Sequence, residues 1–339
     1  MSSPIRASVD FNRPGKQHGN LFVPYSYNLG GWANLMLPIT VLANGKGPTV
    51  LILAGNHGDE YPGQVAVMRL LRELQPDQIR GRLILIPTLT MPGAKAATRL
   101  SPLDGKNFNR SFPGNPAGTP CDMIAHYLTT VLFPMADVVI DNHTGGRSVD
   151  FYPCGHMHLV PKGPQRDKML AGTEAWNTDF CFLYADIAGT GLLPVEAENQ
   201  GKIVLTTEMG GSENVTAQVH RLTQSGLRNV LVHVGVLEGR EQSRADLGLS
   251  PTRWVRALDW EDYRFAPESG VYENRVPLGE SVRAGQEVGA IHSLERPDRE
   301  PVSVLAHSGG ILLATRAPSI VAQGDCVACI AHPVDPRTL

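Results

Sequence analysis

Five short apolar runs in the first two-thirds of the chain restrict its possible folds more than any other feature. Each run has the length of a buried strand and is rich in valine, isoleucine and leucine. They are TVLILAG (49–55), RLILIP (82–87), ADVVID (136–141), FCFLYAD (180–186) and KIVLTTE (202–208). Helical spacing of apolar residues follows the first run, from Val65 to Leu74, and the last run, from Val215 to Val236. Buried strands that alternate with helices predict an α/β fold with a mixed, mostly parallel sheet flanked by helices.

Size and charge exclude several classes of protein. A chain of 339 residues is long enough for about two domains. A formal charge of −3 lacks the basic surplus of a general nucleic-acid binder. No apolar run approaches the roughly 20 residues of a membrane span, and the first residues contain no apolar signal segment. We therefore expect a cytoplasmic protein that acts on a small molecule, binds neither nucleic acid nor membrane, and could form a homo-oligomer.

The five cysteines do not have the pattern of a disulfide framework, because their number is odd and they are widely spaced. Cys326 and Cys329 form a C-x-x-C within an apolar, strand-like run. A redox or zinc-ribbon site would require a second pair or a strand-to-helix context. We interpret the two residues as strand residues in a reducing compartment.

The last third of the chain contains a weak internal repeat. SGVYENRVPLGESVRAGQEVGAIH (269–292) aligns with GGILLATRAPSIVAQGDCVACIAH (309–332). Two such hairpin units predict a small β-sandwich or barrel over 246–339, after an α/β catalytic domain over 1–245. The pattern resembles the biotinyl/lipoyl carrier fold, but no lysine follows Pro251. We expect an architectural appendage without a carrier lysine.

Histidine and glutamate side chains follow three of the predicted strands. His57 and Glu60 form an H-x-x-E after the first run, His143 follows the third, and Glu208 ends the last. The carboxyl ends of strands in open α/β sheets are where ligands bind. Two ligands close in sequence with a distant third are typical of a catalytic zinc site. The pattern predicts a metal site on His57, Glu60 and His143, with Glu208 as an unligated base.

A long segment from Thr88 to Pro120 is rich in proline, glycine and asparagine and shows little periodicity. So long a loop in a compact domain is usually functional. It contains Arg99 and the pair Asn109–Arg110. A guanidinium suits bidentate binding of a carboxylate. The alternative is an ordinary surface arginine.

The ordered set of these motifs resembles the zinc carboxypeptidase superfamily, and its spacing is similar to the succinylglutamate desuccinylase/aspartoacylase family. Within that family, GNHGDEY, NRSFPG and DNHTGG are most similar to the N-acetyl-diaminobutyrate deacetylases of ectoine breakdown. The resemblance implies one Zn²⁺ on His57, Glu60 and His143, with Glu208 as general base. It also implies Asn109 and Arg110 as the clamp for the substrate carboxylate, and Arg99 near the carbonyl oxygen.

Several nearby residues allow more than one interpretation. His156 and His158 could line the pocket, but alternating histidines more often mark one face of a half-buried strand. Asp141 could orient a zinc-bound imidazole or simply end its strand. A substrate-binding tyrosine could be Tyr152, Tyr184 or Tyr272, among which the sequence does not choose.

The leading hypothesis is a zinc-dependent amidohydrolase that removes a short acyl group, expected to be acetyl, from the nitrogen of an amino acid. N-acetyl-2,4-diaminobutyrate is the named candidate substrate. One alternative is a metallocarboxypeptidase that acts on a small peptide, because the zinc set alone does not separate the two activities. Another alternative is a metal-binding protein without enzymatic activity.

Overall fold

The structure is a computed structural model, and it describes residues 2–185 and 189–339. The helices are α1 (Tyr61–Glu73), α2 (Met91–Ala96), α3 (Pro120–Tyr127), α4 (Phe133–Met135), α5 (Pro164–Glu174), α6 (Leu193–Asn199) and α7 (Ala217–His233). The strands before residue 246 are β1 (Arg6–Ala7), β2 (Gly15–Pro24), β3 (Asn34–Asn44), β4 (Thr49–Ala54), β5 (Gly81–Ile86), β6 (Val138–His143), β7 (Val149–Phe151), β8 (Cys154–His158), β9 (Phe180–Tyr184) and β10 (Ile203–Glu208). The later strands are β11 (Arg253–Ala257), β12 (Tyr263–Phe265), β13 (Gly270–Asn274), β14 (Ser281–Val282), β15 (Glu287–His292), β16 (Val302–Leu305), β17 (Gly310–Arg316), β18 (Ile320–Val321) and β19 (Cys326–Pro333).

All five apolar runs form strands of one mixed sheet. Four of them, in the order β5–β4–β6–β10, are parallel neighbours. The fifth, β9, lies between β8 and β11 in a second parallel block, which runs antiparallel to β10. Asp186, the last residue of the fifth predicted run, lies outside the described residues. The expected mixed sheet is confirmed, but it is not mostly parallel. Its parallel pairings in the described chain are confined to these two blocks, and most of its strand pairs there are antiparallel, because β1–β3 and the C-terminal strands pair in antiparallel fashion.

Helices cover both faces of the sheet, as the buried strands require. The buried apolar residues of α1 and α7 pack with Ile52 and Ile140 on one face. On the other face α3, α5 and α6 pack with Val139 and Val204. The polar ends of β6 and β10, His143 and Glu208, lie at the edge of the sheet beyond these two apolar cores.

Two parts of the chain differ from the sequence expectation. The antiparallel strands β1, β2 and β3 precede the first predicted run. Strand β2 contains both buried and exposed positions, and several of them carry polar residues. No continuous apolar run therefore marks this strand in the sequence. The segment from Thr88 to Pro120 is also not a plain loop, because it contains α2 and a 3₁₀ turn at Phe108–Arg110.

The C-terminal strands continue the main sheet and also form a second one. Strand β11 pairs in parallel with β9, and β19 pairs with β11. A separate antiparallel sheet has the order β16–β15–β13–β18. Buried apolar side chains from the segment Ala266 to Ile330 form a core of their own. A small β unit is therefore present, while its division from the catalytic domain at residue 246 stays a prediction.

The internal repeat is visible in the strand pairing. Each unit contributes a strand, a two-residue strand and a final strand, and the two units exchange their short strands. Gly270 of β13 pairs with Val321 of β18, while Gly310 of β17 pairs with Val282 of β14. The two units therefore interlock instead of folding side by side.

The C-x-x-C cysteines both lie on β19, as expected for strand residues. All five cysteines are free thiols, and burial raises the pKa of Cys326 to about 11. Across residues 2–185 and 189–339, the helices are too short or too polar to cross a bilayer.

Candidate metal centre and active site

Three neighbouring parallel strands end at one edge of the sheet and bring the expected residues together. His143 and Glu208 are the last residues of β6 and β10 and lie opposite each other in register. Strand β4 ends at Ala54, opposite Asn142, and leads directly into His57 and Glu60. Opposed residues of neighbouring strands point to the same face and lie about 4.8 Å apart.

The turn from β4 into α1 explains the glycines of the GNHGDE motif. Gly55 has a φ of +63°, a conformation that side-chain-bearing residues rarely adopt. A Cβ on Gly58 would lie 2.1 Å from the carbonyl carbon of Gly93, so the turn packs directly on α2. The Thr90 hydroxyl donates to the carbonyl oxygens of Gly55 and Asn56 and fixes the turn.

Glu60 lies between two buried imidazoles. Its Oε1 is 2.6 Å from Nδ1 of His57, and its Oε2 is 2.9 Å from Nδ1 of His143. The backbone N–H of Thr144 also donates to Oε2. All three side chains are at most 5 % exposed. One ligand atom from each lies within 4.8 Å of the other two, so the three can hold one metal ion.

Oxygen atoms of neighbouring side chains orient the far nitrogen of each ring. Nε2 of His57 donates to Oδ1 of Asn107 at 3.1 Å, and Nε2 of His143 donates to Oδ2 of Asp141 at 2.8 Å. Asn107 Oδ1 also accepts a backbone N–H, which identifies it as the amide oxygen. In the neutral form of each ring, these contacts place the hydrogen on Nε2 and leave the Nδ1 lone pair on the side of Glu60. Two lone pairs and a carboxylate that meet at this distance suit a shared cation.

The pKa shifts of these three residues agree with that donor set. Burial disfavours ionisation of Glu60, but His57 and His143 outweigh it and hold the pKa of the carboxyl well below its usual range. Burial lowers the pKa of His57. Burial would also lower the pKa of His143, but the carboxylates of Asp141 and Glu60 raise it well above its usual value. A metal ion that displaces the extra proton of His143 would be bound by a carboxylate and two neutral imidazoles.

Glu208 differs from Glu60 in its surroundings. Its Oε2 is buried and accepts no hydrogen bond from the described residues. Burial, and next the negative charge of Glu60, raise the pKa of Glu208 to about 8. A carboxyl group with a pKa near neutrality can accept and return a proton. Other acidic residues of this edge have structural partners, since Asp59 accepts the backbone N–H of Arg147 and Asp141 holds His143.

The loop residues lie around the same edge. Arg99 donates to Oε1 of Glu60 at 3.2 Å. Asn109 uses Oδ1 to accept the backbone N–H of Leu193, so only its amide N–H groups can reach a ligand. Arg110 donates to the carbonyl oxygen of Asn109 and lies against Gly189. The structure therefore brings all three expected loop residues to this region, and their roles toward a substrate stay predictions.

The structure separates the three candidate tyrosines. Tyr152 donates to Asp179 at 2.7 Å, and Tyr272 is buried in the core of the C-terminal β unit. Tyr184 instead packs against His156 and His158, with ring centroids 4.9 and 4.2 Å away. Of these three tyrosines, Tyr184 is therefore the one whose ring contacts the histidines of β8, the strand beside Glu208.

Sequence reasoning missed Asn107 and Asn56, which contact the two imidazoles from separate loops. Asn107 is fifty residues from His57, and no periodicity marks the contact. Its position two residues before Asn109 was the one available signal. Asn56 lies 3.3 Å from Nε2 of His143 and donates to Asp141.

Comparisons with known proteins agree with this arrangement. Residues 46–234 match the succinylglutamate desuccinylase/aspartoacylase catalytic domain. The chain is 38 % identical to the N-alpha-acetyl-L-2,4-diaminobutyric acid deacetylase of Halomonas elongata, over 98 % of this chain and 96 % of that one.

Solved structures show the same likeness. The product-bound ectoine utilization protein EutE (DoeB) of Ruegeria pomeroyi superposes with a TM-score of 0.94 at 34 % identity, covering 98 % and 99 % of the two chains. A succinylglutamate desuccinylase/aspartoacylase of Rhodobacter sphaeroides superposes with a TM-score of 0.93 at 38 % identity, covering 98 % and 100 %. This chain therefore belongs to the succinylglutamate desuccinylase/aspartoacylase family and is an enzyme that hydrolyses a linear amide.

Proposed function

We propose that this enzyme is a zinc-dependent deacetylase of N-acetyl-2,4-diaminobutyrate in ectoine breakdown. The observation that carries the proposal is the buried Glu60 carboxylate between His57 and His143, beside Glu208 on the next strand. The relative from Halomonas elongata is named for this reaction, and EutE is named for ectoine utilization. Action in the cytoplasm and assembly into a homo-oligomer remain predictions from the sequence.

The donor set fits Zn²⁺, which accepts imidazole nitrogen and carboxylate oxygen and keeps an open position in catalytic sites. His57, Glu60 and His143 would hold it. When bound, zinc supplies Lewis-acid polarisation of the amide carbonyl and makes nearby water more acidic. Asn107 and Asp141 keep both rings aligned through their Nε2 atoms.

Glu208 acts as the general base in this proposal. Its carboxylate takes a proton from the attacking water and returns it to the leaving amine of the amino acid. Burial acts to raise the pKa of Glu208, which supports a group that takes up the proton and then returns it.

Asn109 and Arg110 bind the α-carboxylate of the substrate and fix the scissile amide over the site. A guanidinium compensates for removing that carboxylate from water by offering two parallel N–H donors. Arg99 contacts Glu60 at 3.2 Å. In this proposal its guanidinium stabilises the negative charge that develops on the carbonyl oxygen.

Hydrolysis rates on a small panel test the proposal. The panel contains N-acetyl-2,4-diaminobutyrate, N-acetylaspartate, N-succinylglutamate and a dipeptide. We expect the highest kcat/KM on the first compound, loss of activity on dialysis against a chelator, and recovery with zinc. Metal analysis should find about one zinc per chain in the native protein and most of it lost in His143→Ala. Faster cleavage of the dipeptide would favour a peptidase, and full activity in excess chelator would contradict the zinc assignment.

A further inference from the structure

Beyond the metal-binding residues, one buried cluster on the same face of the sheet has no part in the mechanism above. It consists of His156 and His158 on β8, Tyr184 at the end of β9, and Glu198 on α6. His156 is 4 % exposed, and neither of its ring nitrogens has a partner among the described residues. Burying an imidazole without hydrogen bonds costs folding free energy, and such a group often binds a ligand or a water molecule.

Strand register places His156 next to the proposed reaction centre, with His158 and Tyr184 farther along the same face. His156 lies opposite Thr206 of β10, two residues before Glu208 on the same face. Diagonal neighbours of this kind in an antiparallel pair lie about 7–8 Å apart. The side chain of an amino acid bound at Glu208 therefore needs only a few bonds to reach His156.

The hydrogen-bonding capacity of the cluster favours a cationic donor. Nδ1 of His158 lies 3.1 Å from both carboxylate oxygens of Glu198, which accept its hydrogen. In the tautomer that carries its hydrogen on Nδ1, Nε2 of His158 is an acceptor, and it is buried without a partner in the described residues. Neutral His156 adds a second unused acceptor, and the ring of Tyr184 packs against both imidazoles.

The charge around the cluster points the same way. Glu198 has a side chain that is 7 % exposed, and Glu208 and Asp141 lie on the same sheet face. The buried carboxylate of Glu198 disfavours a second substrate carboxylate there and favours an ammonium group. An aromatic ring face beside the ammonium adds a cation–π attraction.

We propose that His156, His158, Tyr184 and Glu198 form a subsite for the ammonium group at the end of the substrate's side chain, which makes the enzyme selective for N-acyl diamino acids. This proposal rests on the proposed function and adds the residues that determine its specificity. The γ-ammonium of 2,4-diaminobutyrate lies two methylene groups beyond the α-carbon, a reach that suits the spacing from Glu208 to His156.

The test compares N-acetyl-2,4-diaminobutyrate with N-acetylnorvaline, in which a methyl group replaces the ammonium group. The native enzyme should prefer the first by at least about tenfold in kcat/KM, mainly through KM. Glu198→Gln and His156→Phe should each reduce that ratio toward one. The control is Glu241→Gln, because Glu241 forms an exposed carboxylate–imidazole pair at 3.0 Å with His233 of α7, away from the cluster.

The outcomes separate this inference from the proposed function. An unchanged ratio in both folded variants, or a native ratio near one, would overturn the subsite and leave the deacetylase in place. If the native enzyme cleaves neither compound, the proposed function fails, and calorimetric binding of 2,4-diaminobutyrate and norvaline then decides on the subsite. Selective binding of the diamine that Glu198→Gln abolishes would support it, and equal binding of the two would overturn it. Thermal melting of each variant identifies a loss that comes from misfolding.

Discussion

Asp141 and His143 stand two residues apart on β6, and Oδ2 of the aspartate accepts a hydrogen bond from Nε2 of the histidine at 2.8 Å. Asn56 donates to the same carboxylate oxygen at 3.0 Å, so the aspartate is itself fixed. Because a strand directs every second side chain to one face, the pair meets without any further element. The aspartate thus sets the ring orientation of a residue in the candidate metal set.

Asp141→Asn should weaken zinc binding by about 10–100-fold, because an amide holds the ring less strongly and does not enhance the basicity of the imidazole. Competition with a fluorescent chelator measures this change. Asp262→Asn is the control, since Asp262 is also buried and contacts His332 at 2.8 Å in the C-terminal β unit. If the two variants bind zinc equally well, Asp141 contributes only to the structure of β6 and not to metal binding.

Glu208→Gln should lower kcat by at least ~10²-fold while zinc content stays the same. The amide keeps the shape of the side chain but does not accept a proton from water. Steady-state kinetics and metal analysis on one preparation give both values. Glu238→Gln, which alters a surface ion pair with Arg80, is the control for a general effect of losing a carboxylate. A rate within twofold of the native enzyme would place the base elsewhere.

Arg110→Lys should reduce kcat/KM for acyl amino acids by at least tenfold, which corresponds to ~1.4 kcal/mol. Lysine keeps the positive charge but loses the planar pair of donors that matches a carboxylate. The reduction should largely disappear on a substrate whose α-carboxylate is amidated. Equal losses on the acid and the amide would mean that Arg110 supports the loop or the carbonyl oxygen instead.

Asp104, in the loop that carries Arg99 and Arg110, should make the free energy of unfolding depend on pH in the acidic range. Burial acts against ionisation of Asp104, but hydrogen bonds from the backbone and thiol of Cys121, and from Ser101 and Thr119, lower its pKa. A depressed carboxyl pKa adds stability above the unfolded value of about 3.9, and that stability is lost as the pH falls through the folded value.

We therefore expect Asp104→Asn to lower Tm at pH 7 and to have a smaller effect on Tm below pH 4. Thermal melts at the two pH values measure the difference, with exposed Asp77→Asn as the control. A destabilisation that is the same at both pH values would show that the carboxylate charge does not contribute.

The sequence predicts the central strands well because burial on both faces requires long runs of apolar residues. It predicts the metal set and the general base because His57, His143 and Glu208 each adjoin such a run. Their meeting depends on strand order, which the resemblance to a known family supplies. The antiparallel strand β2 gives no such signal, because its partly exposed positions accept polar residues such as Lys16 and His18.

Contacts between distant loops are the part that the sequence does not predict. Asn107 reaches His57, and Asn109 holds the start of α6, only because the long loop folds back over one sheet face. Tyr184 could not be chosen over Tyr152 and Tyr272 for the same reason. All three are strand-region tyrosines, and tertiary packing alone determines their surroundings.

The pairing of β11 with β9 also covers a sheet edge that would otherwise be open to other strands. Backbone N–H and C=O groups along an uncovered edge of a sheet are a template for strands of other molecules. Residues Arg253–Ala257 satisfy these groups of β9, and β19 then covers β11. A chain that ended before Arg253 would expose the apolar strand FCFLY as an aggregation-prone edge. The C-terminal region thus protects the sheet from polymerisation, whatever else it does.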